Sequence, residues 1–189
     1  MVPSNTRASI SRRAALAGLG AGGLGLALAA STRQVSAQDA ASEMANHPIV
    51  GAWLPITPGG PSPALFFPNG TFLITPQVAQ PGPNGVTFVT SNPGVWEPVG
   101  ERSAHFTVVQ IHSDATGTFT GSVTIDGYPV VSEDGLSLFD DQSQGMITIR
   151  DAAGAIVQEI PTAGDPPVTG MRMGVGAPGF PEATATPTS

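Results

Sequence analysis

The sequence predicts an all-β protein, an antiparallel up-and-down β-barrel of about eight strands. Three observations lead there. Residues 118–125 alternate strictly: Phe119, Gly121, Val123 and Ile125 fall on one face, and Thr118, Thr120, Ser122 and Thr124 on the other. That is the period of a half-buried strand. Turn signals separate short apolar runs at intervals of about 8–12 residues, a spacing typical of sandwiches and barrels. They include Pro58-Gly59-Gly60, Pro68-Asn69-Gly70, Asp126-Gly127, Asp134-Gly135 and Ala153-Gly154. Beyond the N-terminal region no window carries a 3.6-residue apolar stripe. A long antiparallel sheet must hide its edges, and closure does so most completely, so a barrel is preferred to a sandwich.

Composition excludes other classes. The 189 residues include 24 glycines and 19 prolines, no cysteine and only 11% charged residues. Lysine is absent, which disfavours coiled coils and long helical bundles. Low charge disfavours a disordered polyelectrolyte. A formal charge of −7 offers no basic face, so no nucleic-acid partner is expected. Without cysteine there is no disulfide framework, zinc ribbon or thiol nucleophile.

The chain divides into four segments. Residues 1–37 read as an export signal. Arg7, Arg12 and Arg13 form a charged start, residues 14–30 are uncharged, and Val35-Ser36-Ala37 offers small residues for cleavage before Gln38. Five glycines in the apolar run make it a poor and short membrane span, so no stable anchor is expected after cleavage. Ser11-Arg12-Arg13-Ala14-Ala15-Leu16 resembles the twin-arginine export motif, with Ala15 where an aromatic is usual. Twin-arginine export is preferred to general secretion. The destination is the periplasm, the cell wall or the exterior. Residues 38–46 are a short polar lead, 47–173 the barrel domain and 174–189 a flexible Pro/Thr/Ala-rich tail. Losing 1–37 leaves three arginines against fourteen acids, a net charge of −11.

Inside the domain, strands are expected at 49–56, 64–67, 71–75, 86–90, 94–99, 104–112, 118–125, 136–139, 146–150, 156–160 and 168–173. The Pro/Gly-rich stretch 76–85 reads as the longest loop.

Several short motifs, in order, carry a family resemblance. Gly51-Ala52-Trp53 opens the first strand, and residues 64–72 (Ala-Leu-Phe-Phe-Pro-Asn-Gly-Thr-Phe) form an apolar hairpin. Gly94-Val95-Trp96 repeats the Gly-x-Trp pattern, and Val168-Thr169-Gly170-Met171-Arg172-Met173 closes the domain. Over residues 47–173 the chain resembles compact bacterial lipocalin-like domains of the calycin superfamily. The long helix of animal lipocalins has no counterpart. The resemblance implies that Arg172 packs over Trp53, with Gly51 letting the chain bend beside them. All three then have structural roles.

Candidate chemistry is sparse. His47, His105 and His112 show no metal-ligand spacing, and His105 and His112 fall on opposite faces of one strand, so no metal is expected. Asp126, Glu133, Asp134, Asp140 and Asp141 gather around one hairpin without an EF-hand pattern and read as a solvated acidic edge. There is no Gly-x-Ser-x-Gly elbow, GxGxxG or Walker motif, so no catalytic residue or cofactor is assigned. The main functional expectation is a small apolar ligand bound inside the barrel by Phe66, Phe72, Phe88, Trp96, Phe106, Phe119 and Phe139. The alternatives are a solid-core domain with a structural or interaction role, and an isomerase resembling allene oxide cyclases. The isomerase needs a polar group deep in the cavity, for which Glu97 and His105 are the candidates. Protein partners are not legible.

Overall fold

Short apolar runs broken by glycine and proline turns fold into antiparallel strands that curl around one core. The computed structural model describes residues 37–82 and 85–176. All but the last residue of the expected signal, and the tail from 177 onward, lie outside the described residues.

The strands are β1 (Gly51–Thr57), β2 (Gly60–Pro61), β3 (Ala64–Phe66), β4 (Thr71–Ile74), β5 (Ala79–Gly82), β6 (Gly85–Val89) and β7 (Asn92–Pro98). They continue with β8 (Ala104–Ser113), β9 (Phe119–Gly127), β10 (Val130–Val131), β11 (Ser137–Asp140), β12 (Met146–Asp151), β13 (Ile156–Pro161) and β14 (Val168–Arg172). Their order in the sheet is β10-β11-β14-β1-β3-β4-β7-β8-β9-β12-β13. Every pairing between strands is antiparallel. The sheet curls until Val130 bridges back to Ser103, just before β8. The Val131 amide donates to the Arg102 carbonyl there, and the Ala104 amide to the Pro129 carbonyl.

Four details depart from the sequence reading. The polar lead is a helix, α1 (Ala37–Asn46). Its last turn is tied by the Asn46 side chain donating to the Ser42 carbonyl, and Met44 packs against the core. One apolar anchor suffices there, too little to register as a stripe. The 76–85 stretch is not simply a loop: β5 and β6 form a hairpin from Ala79↔Phe88 to Gly82↔Gly85. Asp126-Gly127 is no hairpin turn but the end of β9. The chain then runs through Tyr128-Pro129 into β10, and Pro129 has no N–H to extend the ladder. Finally, the neighbour-to-neighbour order is lost after β9, since β11 pairs β14 while the β12–β13 hairpin hangs from β9.

The core is aromatic. Ile49, Trp53, Phe66, Phe72, Trp96, Val108, Val131 and Leu138 are buried together. Each such side chain contributes about 1.5–3 kcal/mol on burial. Both indoles also satisfy their N–H groups, Trp53 on the Ile49 carbonyl at 2.7 Å and Trp96 on the Phe67 carbonyl at 2.8 Å. His47 caps this end. Its Nδ1 accepts from the Ile49 amide at 3.2 Å, so its Nε2–H donates to the Gly100 carbonyl at 3.0 Å.

Candidate functional site

The curl leaves a cavity of about 370 Å³ within the sheet, beyond the tryptophan-filled end. Period-two alternation decides what faces it. On β8, Phe106, Val108 and Gln110 line the cavity, while His105, Thr107, Val109 and Ile111 point the other way. On β11, Leu138 and Asp140 point in and Phe139 points out. β3 and β4 add Phe66, Phe72 and Ile74, and β9 adds Ile125.

Three of the seven expected ligand contacts therefore meet in the cavity. The Phe66 and Phe72 rings lie 4.1 Å apart, and Phe72 and Phe106 4.7 Å. Trp96 is buried beside Phe66 at 5.8 Å but belongs to the filled end and does not line the cavity. Phe88, Phe119 and Phe139 are 41–47% exposed on the outer surface, away from the lining. Phe119 shows why. The register slips between His112 and Ser113, so Ser113 pairs with Phe119 and Thr120 is the extra residue. A one-residue bulge reverses the face of every side chain beyond it. Phe88 pairs with that same Ser113 and shares its outward face.

Gly127 gives the cavity wall its shape. A β-carbon there would collide with the end of the Phe106 ring and lie 3.1 Å from Asp140 Oδ2. The bare backbone thus lets the ring and the carboxylate sit side by side. Asp140 is 5% exposed. Its Oδ2 accepts from the Tyr128 amide at 2.7 Å and its Oδ1 from the Gln142 amide at 2.9 Å. The sequence reading placed this residue on a solvated edge. The signal that finds it is its position two residues from Leu138 on the same strand.

The other acids behave differently. Asp134 and Asp141 close turns by accepting from the Leu136 and Ser143 amides, each at 2.9 Å. Hydrogen bonds hold their carboxyls below the usual aspartate range, first from Ser132 for Asp134 and from Ser143 for Asp141. Glu133 faces Arg102 at 3.8 Å on the surface.

Glu97 and His105 are cross-strand partners outside the cavity. The His105 ring stacks on Tyr128 at 4.5 Å and lies 3.7 Å from Glu97 and 3.6 Å from Asp126. Asp126 Oδ1 also accepts from the Thr107 hydroxyl in this outer cluster, and Asp126 is itself among the residues bordering the cavity. His112 lies on the inner face of β8 and donates from Nε2 to Gln110 Oε1 at 2.6 Å; burial lowers its pKa. Among the described residues no three His, Asp or Glu side chains converge as metal ligands.

Comparison with family models, with curated proteins and with solved structures finds no match to this chain.

Proposed function

We propose that the protein is an exported, lipocalin-like small barrel that binds one small, mainly apolar molecule in its interior. The cavity carries this reading. Its 370 Å³ falls in the usual range of about 300–1,000 Å³ for ligand sites, and Phe66, Phe72, Ile74, Phe106, Val108 and Ile125 give it an apolar wall. The eight-strand barrel rests on the circuit β10-β11-β14-β1-β3-β4-β7-β8, which returns to its start through the Ser103↔Val130 bridge. Export, by the twin-arginine route before general secretion, rests on the sequence of residues 1–37.

The cavity favours a binder over the solid-core alternative. The isomerase reading loses its two polar candidates, because Glu97 and His105 stand outside the lining.

Native mass spectrometry of the chain isolated from its host, with titration of a solvatochromic hydrophobic dye, tests the proposal. A retained small molecule, or saturable one-to-one dye binding abolished by the cavity-filling Val108→Trp, supports it. Binding unchanged in Val108→Trp, or no binding at all, overturns it in favour of a solid-core role.

A further inference from the structure

The polar part of the cavity is one-sided. Among the described residues no arginine or histidine lines it. Asp140 brings a carboxylate to the wall at 5% exposure, and none of the ion pairs among the described residues includes it. Its two hydrogen-bond donors are backbone amides, which supply dipoles but no countercharge. A buried charge without a countercharge is costly, and the cost falls when an opposite charge arrives.

Two buried amide oxygens among the lining residues add acceptors to the cavity. Asn92 is 3% exposed, and its Oδ1 is buried without a donor. Gln77 Oε1 is likewise buried and unpaired. Both residues line the cavity. Several neighbouring donors are already spent. Gln77 Nε2 donates to the Pro61 carbonyl, Gln80 Nε2 to the Gln77 carbonyl, and the Thr57 and Ser62 hydroxyls to the Gly60 carbonyl. The Thr162 hydroxyl donates to the Gln142 carbonyl. The cavity therefore offers acceptors and negative charge beside aromatic rings. Unmet buried acceptors cost about 1–3 kcal/mol each, so a ligand with N–H donors recovers what a purely apolar one leaves unpaid. Phenylalanine faces also attract organic cations.

We infer that the occupant is an organic amine bound as its ammonium ion, with an aryl or short alkyl body against the phenylalanines and the charged end toward Asp140. This rests on the reading of the cavity as a binding site. It adds the charge and donor count of the ligand, which the apolar wall alone leaves open.

Isothermal titration calorimetry of the full chain with three probes of similar size tests it: 4-phenylbutylamine, 4-phenylbutanol and 4-phenylbutyrate. The amine is expected to bind at least tenfold tighter than the alcohol, with the carboxylate weakest. Asp140→Asn is expected to remove most of the amine's advantage over the alcohol. Asn92→Ala is expected to weaken the amine several-fold and the alcohol less. Should Asp140→Asn fail to fold, the ranking of the three probes on the unaltered protein still decides. Equal binding of amine and alcohol, or a preference for the carboxylate, overturns the ammonium inference and leaves the apolar binder standing. No binding of any probe, together with no dye binding, overturns both.

Discussion

Arg172 sits over the Trp53 indole, its guanidinium carbon 4.2 Å from the ring centroid, and the two residues are register partners of β14 and β1. The guanidinium also donates to the Gly135 carbonyl at 2.6 Å, to the Val50 carbonyl at 3.0 Å and to the Pro48 carbonyl. One side chain thus joins the last strand to the first strand's approach and to the turn before β11. Gly51 makes room for it: its φ is +137°, and a β-carbon there would lie 2.7 Å from Arg172 Nη1. Charge-assisted hydrogen bonds and ring stacking each contribute about 1–3 kcal/mol. Arg172→Ala is expected to cost about 2–4 kcal/mol in denaturant unfolding. Arg172→Lys is expected to recover less than half, because a point charge cannot serve three carbonyls and a ring face together. A loss within 0.5 kcal/mol for Arg172→Ala would show that these contacts are incidental.

Gly94 is a second test of close approach. A β-carbon at this position would run into the Thr107 carbonyl and lie 2.8 Å from Val108 Cα, both backbone of the neighbouring β8. Backbone cannot swing aside as a side chain can. Gly94→Ala is expected to destabilise by about 3 kcal/mol or more, beyond the usual range for overpacking. At Gly154 nothing lies within 4 Å of the added carbon, so the clash term is absent and only its positive φ of 84° opposes alanine, at about 1 kcal/mol. Melting curves of the two variants should separate clearly; equal shifts would refute the argument.

The strands were legible because their pattern is local. Alternation and turn residues locate β1, β3, β4, β6 to β9 and β11 to β14 to within about two residues. What the pattern hides is geometric. β2, β5 and β10 are short or proline-bearing, so they show no alternation. The bulge at Ser113–Phe119 changes which face Phe119 takes, and no residue type announces it. Asp140 resembles its neighbour Asp141 in sequence, yet strand parity buries one and leaves the other at a turn. For the same reason, the aromatic count overstated the cavity wall and Asp140 went unnoticed in it, while Gln77, between β4 and β5, carries no strand pattern at all.

Acid should destabilise the fold in two stages. Burial lowers the pKa of His112 from its ordinary 6.5, so the unfolded chain takes up this proton first. Its contribution is complete above about pH 6.5 and is lost as the pH falls through the lowered folded value. At lower pH the same sign applies to Asp114. Its carboxyl is held below the ordinary value chiefly by the Thr116 hydroxyl, and then by the Thr118 and Thr116 amides. Thermal midpoints are expected to fall between pH 7.5 and 5. His112→Gln should flatten this first stage and leave the second, below pH 4, intact. A variant that keeps the full drop above pH 5 would remove His112 as its source.

Strand parity makes the sharpest prediction about the aromatic residues. Phe119 and Phe139 are 46% and 47% exposed on the outer surface, whereas Phe72 is 1% exposed between Phe66 and Phe106. Phe119→Ser and Phe139→Ser are each expected to change stability by less than about 0.5 kcal/mol, as surface substitutions do. They should leave binding of the cavity probe unaltered. Phe72→Ala is expected to cost about 3–5 kcal/mol, the transfer term plus the void it leaves. Phe106→Ala removes a ring that both lines the cavity and covers Gly127, so it should also admit bulkier probes than the unaltered protein accepts. Denaturant titration paired with a probe series of graded width measures both effects. If Phe119→Ser weakened the probe as much as Phe106→Ala, the cavity wall would run through the outer face and the assignment by parity would fall.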